Sequence, residues 1–372
     1  MKAAFPRMGD TWVGFTKVIE GFGHEVLIPK ALSKKTIQLG VKHSPEYACW
    51  PLKLSLASLI ESLDMGAEVI GTLGGSGPCR AGWYGEIQKK ILIEELGYKI
   101  EHFYPMYGVK ELKKLAELGG SSTMKMWKVV YAGWQFQKAT EHFEKISIRD
   151  RCREEHVGEH TKVYNEIIDM IMKAETTGQL SKVVAQGDHM MADIPKRHDF
   201  KPLKVGTVGE IFVVIDPFAN LEIEKKLGDL GMEVDRSIYL TDWIWREVVM
   251  SYYAPTRYLA KRKLHEDAHP YLNEPVGGDG IESIAGMNVY KRMGYDGVIE
   301  ISPFTCIPEI VAKSILPTMS RDLDMPYQTF NVDEHTGEAG FITRLEAFGD
   351  LLSQRRDGTP LPSKHLTALE VD

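Results

Sequence analysis

Short apolar runs alternate with amphipathic stretches along the first third of the chain. Lys2 to Phe5, Glu25 to Pro29, Glu68 to Leu73 and Ile100 to Tyr104 read as strands. Thr11 to Gly21, Leu52 to Met65 and Gly85 to Leu96 place apolar residues at helical spacing and read as the helices between them. Gly21, Gly23, Gly66 and Gly97 stand where those helices should stop. Strand and helix in alternation predict a parallel sheet. From Lys110 to about Lys182 the spacing is helical throughout, with charges between the apolar positions, so this segment reads as a helical linker or cap.

The alternation then resumes. A strand is expected over Glu210 to Ile215, a helix over Asn220 to Leu230, and the α/β pattern continues through Glu233 to Tyr239. A long helix is expected over Trp243 to Lys263, followed by strand Gly297 to Ile301, helix Pro308 to Met319, strand Tyr327 to Val332 and helix Ala339 to Gln354. The expected organisation is an α/β fold with two parallel-sheet lobes, 1–108 and 200–356, a helical segment 109–199 between them, and a loose tail 357–372. With 372 residues the chain is long enough for two separate cores.

Composition narrows the function. Hydrophobic residues make up 43% and charged residues 26%, as in ordinary globular proteins. A net charge of -7 and the lack of a basic stripe with interleaved aromatics argue against nucleic acid as a partner. No segment approaches the ~18 uncharged apolar residues of a membrane span, and Met1 to Asp10 lacks a signal-like apolar run, so a cytoplasmic protein without a membrane partner is expected. Four cysteines are too few for a disulfide framework in a chain of this size, which leaves metal binding, catalysis or plain burial.

The cysteines differ in context. Cys79 ends a Gly74-Gly75-Ser76-Gly77-Pro78 turn between an expected strand and helix, where Gly75 and Gly77 let the backbone approach a ligand and a helix N-terminus favours an anion such as a thiolate. Arg80 stands where a dinucleotide fingerprint needs its third glycine, although a nucleotide loop is the other reading of the run. Cys306 repeats the arrangement after strand Gly297 to Ile301, and Cys49 precedes Trp50-Pro51 at the start of another helix. Loops beyond the strand ends line the ligand crevice of open α/β sheets, so these three thiols are candidate metal ligands. Cys152 lies in a charged helical stretch with no preceding strand and reads as a non-ligand. The plainer reading is that all four are small buried hydrophobes, and the lack of a CxxC pair weakens zinc-ribbon and ferredoxin readings.

Ser44-Pro45-Glu46-Tyr47-Ala48-Cys49-Trp50-Pro51-Leu52-Lys53, the run 74–80 and Asp333-Glu334-His335-Thr336-Gly337-Glu338-Ala339-Gly340 resemble one known group, as do Thr343-Arg344-Leu345-Glu346-Ala347-Phe348, Phe5 to Asp10 and Cys306-Ile307-Pro308-Glu309. The chain resembles proteins related to acyl-CoA dehydratase activases, in the superfamily of 2-hydroxyacyl-CoA dehydratase and benzoyl-CoA reductase subunits. The resemblance implies two Rossmann-like lobes and an iron–sulfur cluster, [4Fe-4S] in type, on Cys49, Cys79 and Cys306. It also implies an ATP-hydrolysing activator of actin and Hsp70 type as electron donor, a homodimer or sister subunit, and reduction or dehydration of a small substrate such as a CoA thioester. A non-enzymatic electron- or cluster-transfer role is the alternative.

Such chemistry needs a proton donor, and Glu46, Glu334, His335 and Glu338 are the titratable residues of the motifs. Each has a structural alternative: His335 as a helix-entry histidine, Glu338 as the start of the last helix, and Arg344 with Glu346 as an ion pair. Arg80 could offset thiolate charge or bind an anionic substrate, and Tyr84, one turn on, faces the same crevice or simply packs. His265-Glu266-Asp267-Ala268-His269 matches a zinc-protease pattern only formally, since Pro270 ends the helix at once, and it reads as a solvated helix terminus.

Overall fold

The computed structural model describes residues 1–74, 79–106, 108–197, 199–246, 262–274 and 276–357. It divides into two compact units, Met1–Thr140 and Glu141–Asp372.

The first unit is built on β1 (Lys2–Ala4), β2 (Glu25–Val26), β3 (Val69–Thr72) and β4 (His102–Pro105), all parallel in the order β2-β1-β3-β4. Its helices are α1 (Trp12–Phe22), α2 (Lys34–His43), α3 (Trp50–Asp64), α4 (Tyr84–Lys89), which runs on into a π-helical stretch Lys90–Glu95, and α5 (Val109–Leu118). Helix α3 carries Leu54, Leu56, Leu59 and Ile60 inside, and the last three pack with Ala4, Ile70 and Leu92 into one face of the core. Ala3, Phe22, Val69 and Leu115 form the other face. The sheet is thus covered on both sides, as a parallel sheet requires.

Helix α2 was not expected from the apolar pattern. It is started by a capping box between Ser33 and Thr36 and packs on α3, where Gly40 allows contact: a Cβ there would sit 2.3 Å from the Lys53 carbonyl oxygen.

A run of helices follows: α6 (Thr123–Asp150), which crosses from one unit into the next, then α7 (Glu159–Lys173) and α8 (Thr177–Ala192). The second unit repeats the first sheet. Strands β5 (Leu203–Gly209), β6 (Met232–Arg236), β7 (Gly297–Pro303) and β8 (Tyr327–Val332) are parallel in the order β6-β5-β7-β8. Helices α9 (Ile211–Ile215), α10 (Ile223–Asp229), α11 (Leu240–Ile244), α12 (262–268), α13 (Gly280–Arg292), α14 (Ile307–Asp322) and α15 (Glu338–Asp357) complete it. Val208, Ile284, Met287, Val298, Leu316 and Met319 form its core between sheet, α13 and α14. The fold is therefore mixed α/β with two four-stranded parallel sheets, consistent with two Rossmann-like lobes joined by helices.

One expected strand is a helix. The apolar run Ile211 to Ile215 forms α9, and the strand lies just before it at Leu203–Gly209. Gly209 ends that strand with φ +140, lying so close to the Ile301 carbonyl oxygen that a Cβ would meet it at 1.9 Å. Glu210 then caps the helix by accepting the Val213 N–H at 3.0 Å. The run is apolar because its residues are buried as a helix, a case that periodicity alone does not separate from a buried strand. The expected helix Trp243 to Lys263 falls largely on 247–261, outside the described residues, as does the tail beyond Asp357. Among the described residues no helix is long and apolar enough to cross a membrane.

Candidate functional site

In both sheets the strand order reverses beside the first strand, between β1 and β3 and between β5 and β7. Loops leaving the C-terminal ends of those strands border a crevice, the usual ligand position in open parallel sheets. Cys79 follows β3 and Cys306 follows β7, so the two occupy the same place in equivalent sheets. Each is the N-cap of the helical element after its strand, Cys79 of a 3-10 turn Arg80–Trp83 and Cys306 of α14. Cys49 is the N-cap of α3, whose first turn contains Pro51. All three thiols, like that of Cys152, are free of disulfides.

In the first unit two hydrogen bonds lace the cysteine-bearing loops together. The Tyr84 hydroxyl lies 2.6 Å from Cys49 Sγ, and Arg80 donates to the Tyr47 carbonyl oxygen at 2.9 Å. Cys49 is 8% exposed and Tyr84 4%, and both pack on Leu52. Beneath them runs a buried polar chain: Thr72 at the end of β3 donates to Gln88 Oε1 at 2.5 Å, Gln88 Nε2 donates to Ser55 Oγ at 2.9 Å, and Ser55 donates to the Leu52 carbonyl at 3.2 Å. This chain ties β3, α4 and α3 into one frame for Cys49. The loop after β1 joins it, since the Arg7 N–H donates to Ser58 Oγ on α3 at 2.9 Å. Gly75 and Gly77 lie outside the described residues.

In the second unit the switch point is acidic. Glu210 follows β5, Asp279 precedes α13, Glu300 is on β7 and Glu309 is in the first turn of α14. Glu300 and Glu309 are fully buried. Asp279 accepts the Ile211 N–H at 3.0 Å, Ser283 donates to Glu309 at 2.9 Å, and Thr329 donates to Glu300. Burial raises Glu300 above the ordinary carboxylic range, and one oxygen of Glu300 and one of Glu309 are buried with no hydrogen-bond partner among the described residues. Burial raises Glu309 well above the ordinary carboxylic range, reinforced by the charges of Glu300 and Asp279. Glu210 is pushed up to about 8, chiefly by burial and then by Asp279, against the pull of backbone N–H bonds from Val213 and Phe212. These carboxyls can hold protons near neutral pH.

No protein-family model matches the chain, and no curated protein matches it either.

The titratable residues expected from the motifs are placed differently. His335 is exposed in the turn before α15, where its N–H donates to Asp333 at 2.9 Å, and Glu46 is exposed in the turn before Cys49. Glu338 begins α15 and pairs with Lys226 at 2.8 Å. Arg344 donates to the Thr329 carbonyl oxygen and lies over the Phe330 ring. Cys152 is fully buried, its thiol pushed up to about 12 mainly by burial, which suits an inert side chain. His265 is partly covered and His269 exposed, while Glu266 pairs with Arg262.

As a donor set, Cys49, Cys79 and Cys306 fit thiolate ligation in residue type only: each is outside any disulfide and is the N-cap of a helical element. Among the described residues, no group of three His, Cys, Asp or Glu side chains gathers for a metal ion. Cys49 and Cys79 belong to the first unit and Cys306 to the second.

The residues the sequence did not single out are Gln88, Thr72, Glu210, Asp279 and Glu300. A signal for Glu300 existed, since a carboxylate stands within the apolar strand run Val298-Ile299-Glu300-Ile301.

Proposed function

We propose that the chain is an iron–sulfur redox protein of the acyl-CoA dehydratase activase-related kind, acting on a small substrate of the CoA-thioester class. The observation that carries this is the shared position of Cys79 and Cys306, each capping a helical element after the third strand of an equivalent parallel sheet. Cys49, Cys79 and Cys306 would hold the cluster, which would supply one-electron reduction at low potential. An ATP-hydrolysing activator of actin and Hsp70 type would provide the electron. In this reading the residues of the chain orient the thiols, keep the crevice floor dry and hold a proton on the Glu300–Glu309 pair or on Glu210, rather than on the exposed His335.

A non-enzymatic electron or cluster carrier is the second reading, favoured by the exposure of His335 and Glu46 on surface turns. Anaerobic purification, reconstitution with iron and sulfide, elemental analysis and electron paramagnetic resonance test the proposal. Bound iron and sulfide with a cluster signal are expected, and a colourless, iron-free protein refutes it. A change of the signal on adding a CoA thioester separates enzyme from carrier.

A further inference from the structure

We infer that the outer face of the first half of α6 is a docking surface for a second copy of this chain, which it meets at the start of that copy's α14. The inference is independent of the proposed function. Between Thr123 and Thr140 the helix carries three lysines, Lys125, Lys128 and Lys138, all exposed, and no acidic residue. Met124, Trp127 and Tyr131 recur at helical spacing on the same outer side and are exposed, Met124 at 73% and Tyr131 at 65%. The opposite side is already used. Met126 lies in the core with Phe22 and Leu115, Gln137 accepts the Gly14 N–H of α1 at 3.2 Å, and a Cβ at Gly133 would meet the Val18 side chain of α1 at 2.3 Å. Packing within the unit therefore does not explain the outer aromatics, and an exposed apolar patch among charges marks an interaction surface.

Charge complementarity points to the occupant. The first unit holds 18 basic and 13 acidic residues and the second holds 27 and 39, so the first unit of one copy attracts the second unit of another. The second unit also presents an apolar patch beside carboxylates. Phe304, Ile307 and Ile310 are exposed, Phe304 at 63%, and the two isoleucines stand three residues apart in the first turns of α14. The Phe304 N–H donates to the Val332 carbonyl oxygen at 3.2 Å, which sets this patch beside the turn after β8, where Asp333 and Glu334 are half-exposed.

In the docked pair Met124, Trp127 and Tyr131 of one copy cover Phe304, Ile307 and Ile310 of the other, and Lys125 and Lys128 face Asp333 and Glu334 at the rim. Aromatic anchors of this kind supply most of an interface's binding energy, while rim charges set its salt dependence. An anionic membrane fits less well, because lipid-binding segments gather about four to eight basic residues. This face has three lysines spread from Lys125 to Lys138. Nucleic acid fits less well for the same reason, since it takes a strongly basic domain.

Sedimentation equilibrium of the full chain over a range of concentrations, in low and high salt, tests this. A mass above the 42.0 kDa of one chain, falling back as salt is raised, is expected. A wild type that stays at the mass of one chain throughout overturns the inference, whether or not it sediments with phosphatidylserine vesicles. Trp127→Ala with Tyr131→Ala, and separately Phe304→Ala with Ile310→Ala, should each weaken association by roughly thirtyfold or more. Unchanged association in either pair of changes overturns the inference. If either pair fails to fold by circular dichroism, Lys128→Glu at its exposed position replaces it. That change should weaken association by about tenfold, and adding Glu334→Lys should restore it. A double variant no stronger than Lys128→Glu alone overturns the inference.

Discussion

Glu210, a half-buried carboxyl, shows what one desolvated acid does to this fold. Its value of about 8 means that folding favours the protonated acid. The associated stability is fully present below the ordinary glutamate range and is lost as pH rises through about 8. Glu300 and Glu309, raised in the same sense, add to that slope. Wild-type stability is therefore expected to fall between about pH 5 and about pH 9, and Glu210→Gln, which keeps an acceptor for the Val213 N–H, should show a shallower fall. Urea unfolding across that range checks this; an unchanged slope in the variant would show that Glu210 is ionised in the folded protein at no cost. None of this was legible locally, because Glu210 looked like the first residue of a strand. The cysteines were legible, because Pro51 and Pro308 mark helix starts wherever they occur.

Among the elements, α3 decides the most. It carries Cys49 at its start, covers one face of the first sheet, and meets α2 through Gly40. Gly40→Ala would press a methyl group into the Lys53 backbone, since the nearest atom would be 2.3 Å away. A loss of about 1–3 kcal/mol is expected, as for other overpacked contacts. A shift in the denaturant midpoint with unchanged slope measures it, and full wild-type stability would mean that α2 and α3 can separate freely. Helix α2 itself escaped the apolar pattern because it opens on Lys34, Lys35 and Thr36 and buries little beyond Thr36 and Gly40. Its start is instead written in a Ser33–Thr36 box, with Thr36 where Glu or Gln is the common signal. The swap of strand and helix around Glu210 has the related cause that a short apolar run fits a buried helix as well as a buried strand.

At the scale of the molecule, the repeated sheet is the main result. The orders β2-β1-β3-β4 and β6-β5-β7-β8 match strand for strand, and each unit carries its own core. The two halves differ at the helix that leads into the third strand: Cys49 is its N-cap in the first unit, and Asp279 stands at that place in the second. One half thus offers thiols with a phenol, the other a thiol with carboxyls that hold protons. If the cluster draws on both, Cys79→Ser and Cys306→Ser should each lose most of the bound iron, whereas Cys152→Ser should keep all of it. Iron analysis of the reconstituted full-length variants checks this, and full iron in Cys306→Ser would confine the ligands to the first unit.

The sequence by itself determined the α/β class, most strands and helices, and the position of three cysteines at helix starts, because periodicity, prolines and glycines act over a few neighbouring residues. Only the tertiary structure decided that Tyr84 meets Cys49, 35 residues away, and that Ser283 meets Glu309, 26 residues away. It alone placed Glu300 and Glu309 side by side out of water. Burial and charge coupling arise from segments that folding brings together, and no local pattern of polar and apolar residues records which segments those will be.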